Sequence, residues 1–586
     1  MKRFISALCA LLLCLPALSA ASAEAADDLF TDKDLTLADP SGAVDIVLTE
    51  GGVDITEPGV YRLSGQIADG SIRVAPATEG DVWLLLDGVS VHNESGAALT
   101  SDGCDKLILT LAEGSVNSLT QGSATPSAED NDAAIYVRDD LTINGTGALT
   151  IESAYLDGIN CRDSLRIVSG DITVNAVDDG LVGKDEVTVG GGTITIDAQT
   201  GDGIKATNDE DADRGFVTIA GGTLTVSTGE GSASVSQTSS DGWGGWGGWE
   251  QQTEEDTPSQ KGVKAETTLT VSGGVLSIDS VDDALHAVDV AISGGEMTLA
   301  TGDDGVHADN TLTVSGGTIT VTRSYEGLEG ADVTLSGGEI SVTASDDGIN
   351  GAGGDDATST GEGTFGASGR FGRDRFASST GAVHISGGII FVDASGDGVD
   401  VNGDLEMTGG ELYVNGPQSG GDGALDYDGS FTLTGGTVVA VGSAGMAQGV
   451  SDPAIPGAVL NASGSGTLEV LDSAGNVLVR FEALRDYSHV VVYSDRFADG
   501  ETYTLTMGAD SQSVQMTTDS TGGMGFGGGR GGFGGDRGDR GGTSKTPPEG
   551  IAPEEAPDAP PEGMPDAPPE GTPPEGAPDA SGDEKL

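Results

Sequence analysis

A short phrase repeats through the middle of this chain: acidic residues, a glycine and an apolar residue, as in Asp178-Asp179-Gly180-Leu181 and Asp303-Asp304-Gly305-Val306. Where no insertion intervenes, the copies are about 21–23 residues apart, a spacing typical of solenoid proteins. Each repeat also contains a Ser-Gly-Gly corner between two runs in which apolar and polar residues alternate. This alternation predicts short, half-buried strands.

Three short strands and three corners in each repeat predict a coil of parallel strands. We therefore expect an all-β protein built around a right-handed parallel β-helix, in which the apolar residue of each phrase (Val306, Ile349) points inward. The expected organisation is a signal peptide (1–23), an N-terminal cap (27–80), the β-helix (81–441) with insertions near 229–260 and 351–380, a C-terminal β cap (442–517) and a disordered Gly/Arg-rich then Pro/Glu-rich tail (518–586).

The N-terminus has the composition of a secretory signal. Lys2 and Arg3 precede an apolar run that ends at Leu18, and small residues follow at 21–23. The run is too short to span a membrane, and no other segment is apolar enough to do so. We expect a secreted or cell-surface protein without membrane insertion.

The chain is strongly acidic, with 94 acidic and 26 basic residues and a net charge of −68. Nucleic acids and anionic membranes are therefore poor partners, whereas bound cations would offset the charge. Beyond the signal only Cys104 and Cys161 remain. Cys161 occupies a position where other repeats have alanine, which favours a small buried side chain over a disulfide.

Parallel pairing would stack the acidic positions of successive repeats about 4.8 Å apart. Two carboxylates at that distance repel by roughly 0.9 kcal/mol in water and about 3.5 kcal/mol at an effective dielectric constant of 20. Clustered carboxylates suit Ca²⁺, a hard cation with many oxygen ligands. The alternative is that each aspartate caps a turn by accepting backbone hydrogen bonds. The candidate ligands form two groups: Asp157, Asp178, Asp179 and Asp202, then Asp282, Asp283, Asp303, Asp304, Glu326, Asp346 and Asp347.

Basic residues are rare, so their positions are informative. Lys184, Lys205 and Lys264 follow the turn glycines of the first repeats and are candidates for contacts with a sugar carboxylate or hydroxyl. A desolvated lysine could instead be the base of a β-elimination. Salt bridges to neighbouring aspartates are the simpler interpretation. His286 and His307 lie in two later repeats, where we expect them to face solvent.

Three of the four tryptophans lie in the first insertion, as Trp243, Trp246 and Trp249. Exposed indole rings stack on sugar rings, so this loop is a candidate carbohydrate contact. A low-complexity loop without a fixed role is the alternative.

In their order, several stretches make the chain resemble a family of secreted bacterial β-helix carbohydrate-binding proteins, similar in fold to family 9 pectate lyases. The resemblance covers roughly 51–508 without the insertions. It rests on Gly59-Val60-Tyr61-Arg62-Leu63-Ser64-Gly65, Leu86-Asp87-Gly88-Val89, Asp139-Asp140-Leu141-Thr142-Ile143-Asn144-Gly145, Asp178-Asp179-Gly180-Leu181-Val182-Gly183-Lys184-Asp185 and Gly201-Asp202-Gly203-Ile204-Lys205.

That resemblance implies Ca²⁺ at the aspartate clusters and affinity for plant-type polysaccharides, without demonstrated cleavage. The related lyases use an aspartate cluster for Ca²⁺ and a lysine base, and the first group of aspartates matches the cluster in kind. We therefore expect a calcium-dependent protein that binds acidic or plant cell-wall glycans such as pectate or cellulose. A calcium-dependent polysaccharide lyase and a structural surface adhesin are the alternatives.

Overall fold

The computed structural model describes residues 29–125, 132–236, 259–352 and 381–519. The predicted signal peptide, the loop with Trp243, Trp246 and Trp249, most of the second insertion and the tail lie outside the described residues. The described part is all-β apart from one α-helix, α1 (Asp32–Leu35), and one 3-10 helix (Ser232–Ser234). None of the described helices has the length and apolar character needed to cross a membrane.

The strands of the described residues form one sheet of 41 strands, most of them parallel, and one antiparallel sheet of four strands. The strands before the first insertion are β1 (Val44–Leu48), β2 (Val53–Ile55), β3 (Gly59–Ile67), β4 (Ile72–Val74), β5 (Val82–Asn93), β6 (Leu99–Ser101), β7 (Lys106–Leu111), β8 (Val116–Gln121), β9 (Ala133–Val137), β10 (Asp140–Gly145), β11 (Ala148–Ser153), β12 (Asp157–Cys161), β13 (Ser164–Ile167), β14 (Asp171–Ala176), β15 (Leu181–Gly183), β16 (Glu186–Val189), β17 (Thr193–Ala198), β18 (Ile204–Ala206), β19 (Phe216–Ile219) and β20 (Thr223–Thr228).

The strands after the first insertion are β21 (Val263–Ala265), β22 (Thr268–Val271), β23 (Val275–Ser280), β24 (Leu285–Ile292), β25 (Glu296–Thr301), β26 (Val306–Val314), β27 (Thr318–Arg323), β28 (Leu328–Leu335), β29 (Glu339–Ala344), β30 (Ile349–Gly351), β31 (Ala382–Ile385), β32 (Ile389–Ala394), β33 (Val399–Val401), β34 (Asp404–Met407), β35 (Glu411–Asn415), β36 (Asp426–Tyr427), β37 (Phe431–Leu433), β38 (Thr437–Gly442), β39 (Asp452–Pro453), β40 (Gly457–Leu460), β41 (Gly464–Leu471), β42 (Val477–Tyr487), β43 (His489–Ser494), β44 (Thr502–Met507) and β45 (Asp510–Gln515).

Strands at the same position of successive repeats pair in parallel, which produces three ladders. Strands before the Ser-Gly-Gly corner form one ladder, for example β13–β16–β19. Strands after the corner form the second, for example β14–β17–β20, and the short strands after the turn glycine form the third, for example β12–β15–β18. The first ladder already includes β1 and β3, in the segment that the sequence placed in an N-terminal cap.

Inward-facing side chains of all three ladders make one continuous apolar core. Val306 and Ile349 are fully buried, as the repeat pattern predicts. The second glycine of the Ser-Gly-Gly corner has a positive φ, +90° at Gly317, which favours glycine. The acidic phrase requires glycine for a different reason. A Cβ at Gly180 would clash with the side chain of Ile196 and the carbonyl oxygen of Gly203.

The second ladder ends its parallel order at β38, where β43 pairs with β38 and β40 in the antiparallel direction, and the first ladder ends with the parallel pair β37–β39. Strands β41, β42, β44 and β45 form the separate antiparallel sheet. This sheet packs its own apolar cluster, which also includes Tyr413 from β35 and Val439 from β38.

The start of the described chain is held on the parallel sheet by a buried ion pair. Asp34, in α1, accepts a hydrogen bond from Lys106 Nζ at 2.7 Å and another from the hydroxyl of Thr142. Thr31 caps the helix: its hydroxyl oxygen accepts a hydrogen bond from the backbone N–H of Asp34 at 3.4 Å, and its own backbone N–H donates to Asp34 Oδ2 at 2.8 Å. Although burial opposes the shift, Lys106 and these donors lower the pKa of Asp34 to about 2.

Replacing Asp34→Asn should leave the buried Lys106 ammonium without an anionic partner and lower the free energy of unfolding by about 3 kcal/mol at pH 7. Because the pKa of Asp34 is lowered, its stabilising contribution is present above the unfolded-state pKa, near about 4, and is lost as the pH falls toward about 2. Urea unfolding of both proteins at several pH values should therefore show a difference that shrinks below about pH 4. Asp32→Asn, at an exposed position of the same helix, is the control and should have little effect.

Candidate functional site

In most repeats the acidic residue before the turn uses one carboxylate oxygen to accept a hydrogen bond from a backbone N–H of the next repeat. Asp179 Oδ1 accepts a hydrogen bond from the backbone N–H of Asp202 at 2.7 Å, and Asp304 Oδ1 accepts one from Glu326 at 3.1 Å. The turn-capping interpretation of these aspartates is therefore confirmed for one oxygen, and the second oxygen remains for another partner. We call these residues the carboxylate ladder: Asp157, Asp179, Asp202, Asp283, Asp304, Asp347 and Asp397.

A second row of side chains runs beside the carboxylate ladder. It comes from the middle residue of each short strand of the third ladder, three positions after the acidic residue. The members are register partners on neighbouring strands, and all but one are polar. We call them the polar row: Tyr136, Asn160, Val182, Lys205, Lys264, His286, His307, Glu329, Asn350 and Asp400.

The structure brings the first group of predicted ligands together around a lysine. Lys205 Nζ lies 3.2 Å from Asp179 Oδ2 and 3.1 Å from Asp202 Oδ2. Burial acts to lower the pKa of Lys205, but Asp202 and Asp179 outweigh it and raise that pKa above its ordinary value. Lys205 is thus a protonated internal counter-ion, which matches the salt-bridge interpretation of this residue.

Among the described residues, no lysine, arginine or histidine forms an ion pair with Asp157. Its Oδ2 accepts a hydrogen bond from Asn160 Nδ2 at 2.9 Å, and the carbonyl oxygen of Asn160 is buried without a hydrogen-bond partner. Burial, followed by the neighbouring charges of Asp179 and Asp178, raises the pKa of Asp157 to about 8. Burial likewise raises the pKa of the half-buried Asp178.

The other two predicted lysines differ from Lys205. Lys264 is its register partner, and its ammonium lies 3.3 Å from Glu266 Oε1. Lys184 is half-buried and forms no ion pair with another described residue. Of the three, Lys184 and Lys264 remain candidates for contact with a sugar.

Sequence reasoning missed Lys261, which takes the place of the aspartate in the repeat after Asp202. Its backbone N–H donates to Asp202 Oδ1 at 2.8 Å, and its ammonium lies 2.8 Å from Asp282 Oδ1 and 2.5 Å from Asp283 Oδ2. Burial alone would raise the pKa of Asp283, but Lys261 lowers it strongly. The signal was present in Lys261-Gly262-Val263-Lys264, which aligns with Asp202-Gly203-Ile204-Lys205, but the first insertion separates the two.

The next repeats contain histidines, and the expectation that these face solvent is wrong. His286 and His307 have only 7% and 1% of their surface exposed, because they stack between neighbouring repeats. His286 Nδ1 lies 3.0 Å from Asp283 Oδ2, and His307 Nδ1 lies 3.1 Å from Asp304 Oδ2. Although burial opposes the shift, the contacts of His307 with acidic residues raise its pKa.

The remaining predicted ligands lie beyond the histidines. Glu326 accepts a hydrogen bond from Asn350 Nδ2 at 2.6 Å, and Asp346 interacts with the hydroxyl of Tyr325. A carboxylate oxygen of Asp303 lies within 4.8 Å of carboxylate oxygens of Asp282 and Asp283.

The last repeats hold carboxylates without a counter-ion. Asp347, Asp397 and Asp400 each have an oxygen atom within 4.8 Å of the others. Within the described ranges, no lysine, arginine or histidine forms an ion pair with any of the three. Burial first, and the neighbouring carboxylates second, raise the pKa of Asp347 to about 9. The pKa of Asp397 is raised to about 8 and that of Asp400 to about 6, again with burial as the largest cause. Asp397 and Asp400 were not among the predicted ligands, although Gly396-Asp397-Gly398-Val399 is a copy of the acidic phrase.

A groove lies along the outer face of the same repeats. Phe391, in β32, is 41% exposed and stacks on Tyr413 with ring centroids 5.0 Å apart; Tyr413 in turn stacks on Phe481 of β42 at 5.8 Å. The groove has a volume of about 340 Å³, in the range of small-ligand sites. Besides the aromatic rings it is lined by polar and charged side chains, among them Ser341, Thr343, Asp393, Asn415, Arg480 and Glu482.

Residues 49–305 and 303–473 match the family model described as carbohydrate-binding domain-containing protein. The chain belongs to this family. A carbohydrate-binding domain-containing protein of Acetivibrio thermocellus is 38% identical over 133 residues, which are 22% of this chain and 46% of the relative. The chain thus spans about half the length of the curated relative that it matches. A solved polysaccharide lyase-like protein from C. thermocellum, a gadolinium derivative, is 28% identical and aligns over 45% of this chain and 93% of its own, with a TM-score of 0.33.

Lys261→Met should leave the buried Asp283 without its lysine and lower the free energy of unfolding by about 3 kcal/mol. The matched control is Lys264→Met in the same strand segment, where the ion pair to Glu266 is more exposed and its loss should change the stability by less than about 1 kcal/mol. Urea unfolding followed by circular dichroism measures both. Equal effects of the two substitutions would show that Lys261 is not a counter-ion of the carboxylate ladder.

Proposed function

We propose that this carbohydrate-binding domain-containing protein is an exported binder of acidic or plant cell-wall polysaccharides such as pectate or cellulose, and that its binding of acidic glycans depends on calcium. We further propose that its three parallel ladders close into a right-handed parallel β-helix, whose outer face carries the glycan. Membership of the family supports carbohydrate as the ligand. The observation on which the binding surface rests is the exposed ring of Phe391 in a groove with polar walls.

The chemistry of the groove suits a sugar chain. The stack of Tyr413 and Phe481 holds Phe391 in place while part of its surface stays open, and an apolar ring face can stack on the C–H face of a pyranose. Asp393, Asn415 and Arg480 provide acceptors and donors for hydroxyl groups around it. We place the central sugar contact at Phe391.

The proposal of a calcium site rests on the carboxylates that follow these strands. Asp397 comes four residues after Asp393 in the chain, so the cluster of Asp347, Asp397 and Asp400 follows the strands that line the groove. Three converging carboxylates without a protein cation fit a hard divalent ion with oxygen ligands. Asn350 adds a carbonyl oxygen that is buried without a partner, on the strand next to Asp400.

Calcium also solves the problem of binding an acidic glycan to an acidic protein. With a net charge of −68, the chain repels a polyuronate unless a cation bridges the two. A neutral glycan needs no such bridge. We expect Asp157 and Asp178, beside the unpartnered carbonyl of Asn160, to form a second calcium site of the same kind.

For Lys205, a role beside bound glycan is a better proposal than a role as the base of an elimination. A lysine that acts as the base of an elimination must be able to lose its proton, which requires a lowered pKa. The two carboxylates around Lys205 raise its pKa instead. The roles of Trp243, Trp246 and Trp249 as further sugar contacts stay predictions.

The first test measures retention of the full chain on insoluble pectate and on cellulose, with Ca²⁺ and with EDTA. We expect EDTA to abolish binding to pectate and to spare binding to cellulose, because only the acidic glycan needs a bridging cation. Ultraviolet absorbance of the soluble fraction reports any unsaturated product. Pectate binding that survives EDTA would contradict the calcium bridge, and accumulation of unsaturated product would establish a lyase.

The second test replaces Phe391→Ala, with Ile389→Ala as the matched control. Both side chains are 41% exposed on β32, but only Phe391 lines the groove. We expect the Phe391 variant to bind cellulose oligosaccharides about tenfold more weakly, equivalent to about 1.4 kcal/mol. Calorimetric titration measures the affinity. Unchanged affinity in the Phe391 variant would rule out the groove as the binding surface.

The third test concerns the cation site. Ca²⁺ should raise the unfolding temperature of the wild type, and Asp347→Asn combined with Asp400→Asn should remove most of that increase. In EDTA the double variant should be at least as stable as the wild type, because two charges of the repelling cluster are gone. Asp404→Asn, an exposed acid in β34, is the control. An undiminished response to Ca²⁺ in the double variant would place the ion elsewhere.

A further inference from the structure

Each ring nitrogen of the two histidines in the polar row lies near an acidic side chain. His286 and His307 are register partners on β24 and β26, and their ring centroids are 4.8 Å apart. On the inner side, the Nδ1 atoms lie 3.0 Å from Asp283 Oδ2 and 3.1 Å from Asp304 Oδ2. These buried carboxylates fix the orientation of both imidazole rings.

The opposite nitrogens of both rings point to one shared acid. His307 Nε2 lies 3.3 Å from Asp309 Oδ1, and His286 Nε2 lies 3.9 Å from the same oxygen. The side chain of Asp309 is 44% exposed, whereas the histidine side chains are 9% and 1% exposed. Asp309 Oδ1 therefore approaches the outer nitrogens of both imidazole rings from a side chain that is itself open to solvent.

We propose that His286 Nε2, His307 Nε2 and the carboxylate of Asp309 bind a divalent transition-metal ion, of which Zn²⁺ is the type. The site goes beyond the proposed polysaccharide function and is separate from the calcium cluster of Asp347, Asp397 and Asp400. Two histidines and one carboxylate, with a position left open to solvent, form a ligand set that Zn²⁺ accepts in proteins.

The surroundings match those of metal-binding imidazoles. A histidine that binds a metal through one nitrogen usually donates the other N–H to a carboxylate or a carbonyl group, which fixes its tautomer and orientation. Asp283 does this for His286, while Asp304, together with Glu329 at 3.0 Å, does it for His307. Metal–ligand bonds of about 2.0–2.2 Å place neighbouring tetrahedral ligands roughly 3.4 Å apart. The Asp309 oxygen lies near that distance from both Nε2 atoms, at 3.3 Å from His307 and 3.9 Å from His286.

The ligand atoms of this site also distinguish the proposed ion from calcium. Imidazole nitrogen suits Zn²⁺, Cu²⁺ and Ni²⁺, while Ca²⁺ prefers oxygen ligands. Binding replaces the proton on each Nε2 that carries one, and that proton passes to solvent. The result is a cross-link between neighbouring repeats that excess Ca²⁺ leaves intact.

The test titrates Zn²⁺ into the full chain in a buffer saturated with Ca²⁺ and follows the heat of binding. Co²⁺ serves as a spectroscopic substitute, because nitrogen ligands in a tetrahedral site give it visible absorption bands. We expect a site whose affinity falls at least tenfold in His286→Gln and in Asp309→Asn. The Co²⁺ bands should weaken in both variants.

His384→Gln is the matched control, since His384 is an exposed histidine paired with Glu406 on the outer face. It should bind Zn²⁺ as the wild type does. If the buried His286 variant fails to fold, Asp309→Asn decides the matter, because that exposed position carries no part of the core. Absence of Zn²⁺ binding by the wild type, or unchanged affinity in Asp309→Asn, would overturn the proposal.

Discussion

The repulsion between stacked carboxylates governs this structure more than any other interaction. Parallel pairing brings acidic side chains of successive repeats into line, with Lys261 in the place of one of them and neighbours separated by about the 4.8 Å spacing of adjacent strands. Backbone amides of the following repeat neutralise part of each charge, through contacts such as Asp179 Oδ1 to Asp202 N. The rest of the charge must be met by something beside the carboxylate ladder, and the structure meets it in three different ways along its length.

Lysines neutralise the carboxylates on both sides of the first insertion. Lys205 contacts Asp179 and Asp202, and Lys261 contacts Asp282 and Asp283. Histidines follow in the next repeats, and the last repeats have no protein cation among the described residues. The side chains beside the carboxylate ladder therefore change along the chain, from ammonium groups to imidazole rings and then to groups that offer oxygen ligands. That change gives one repetitive architecture several distinct sites, and it explains why calcium and a transition metal are proposed at different places.

The sequence predicted the all-β class, the alternating strands and the turns of the acidic phrase, because each depends on residues a few positions apart. It also predicted Cys161 as a small buried residue without a disulfide. Lys261 was missed because the first insertion interrupts the repeat just before it. The burial of His286 and His307 depends on stacking between repeats, and the groove at Phe391 on Phe481, about 90 residues later. Contacts of this kind leave no local pattern in a sequence.

The carboxylate ladder also has a direction. Each carboxylate of the ladder accepts its hydrogen bond from the repeat that follows, and within the described ranges no equivalent bond runs back toward the repeat before it. The two ends of any run of these repeats are therefore chemically unlike: the N-terminal end exposes a backbone donor and the C-terminal end a charged acceptor. A free donor at the surface is readily hydrated, whereas a free carboxylate adds to the charge of the neighbouring repeat. Adding or removing repeats by design is accordingly easier at the N-terminal end of such a run.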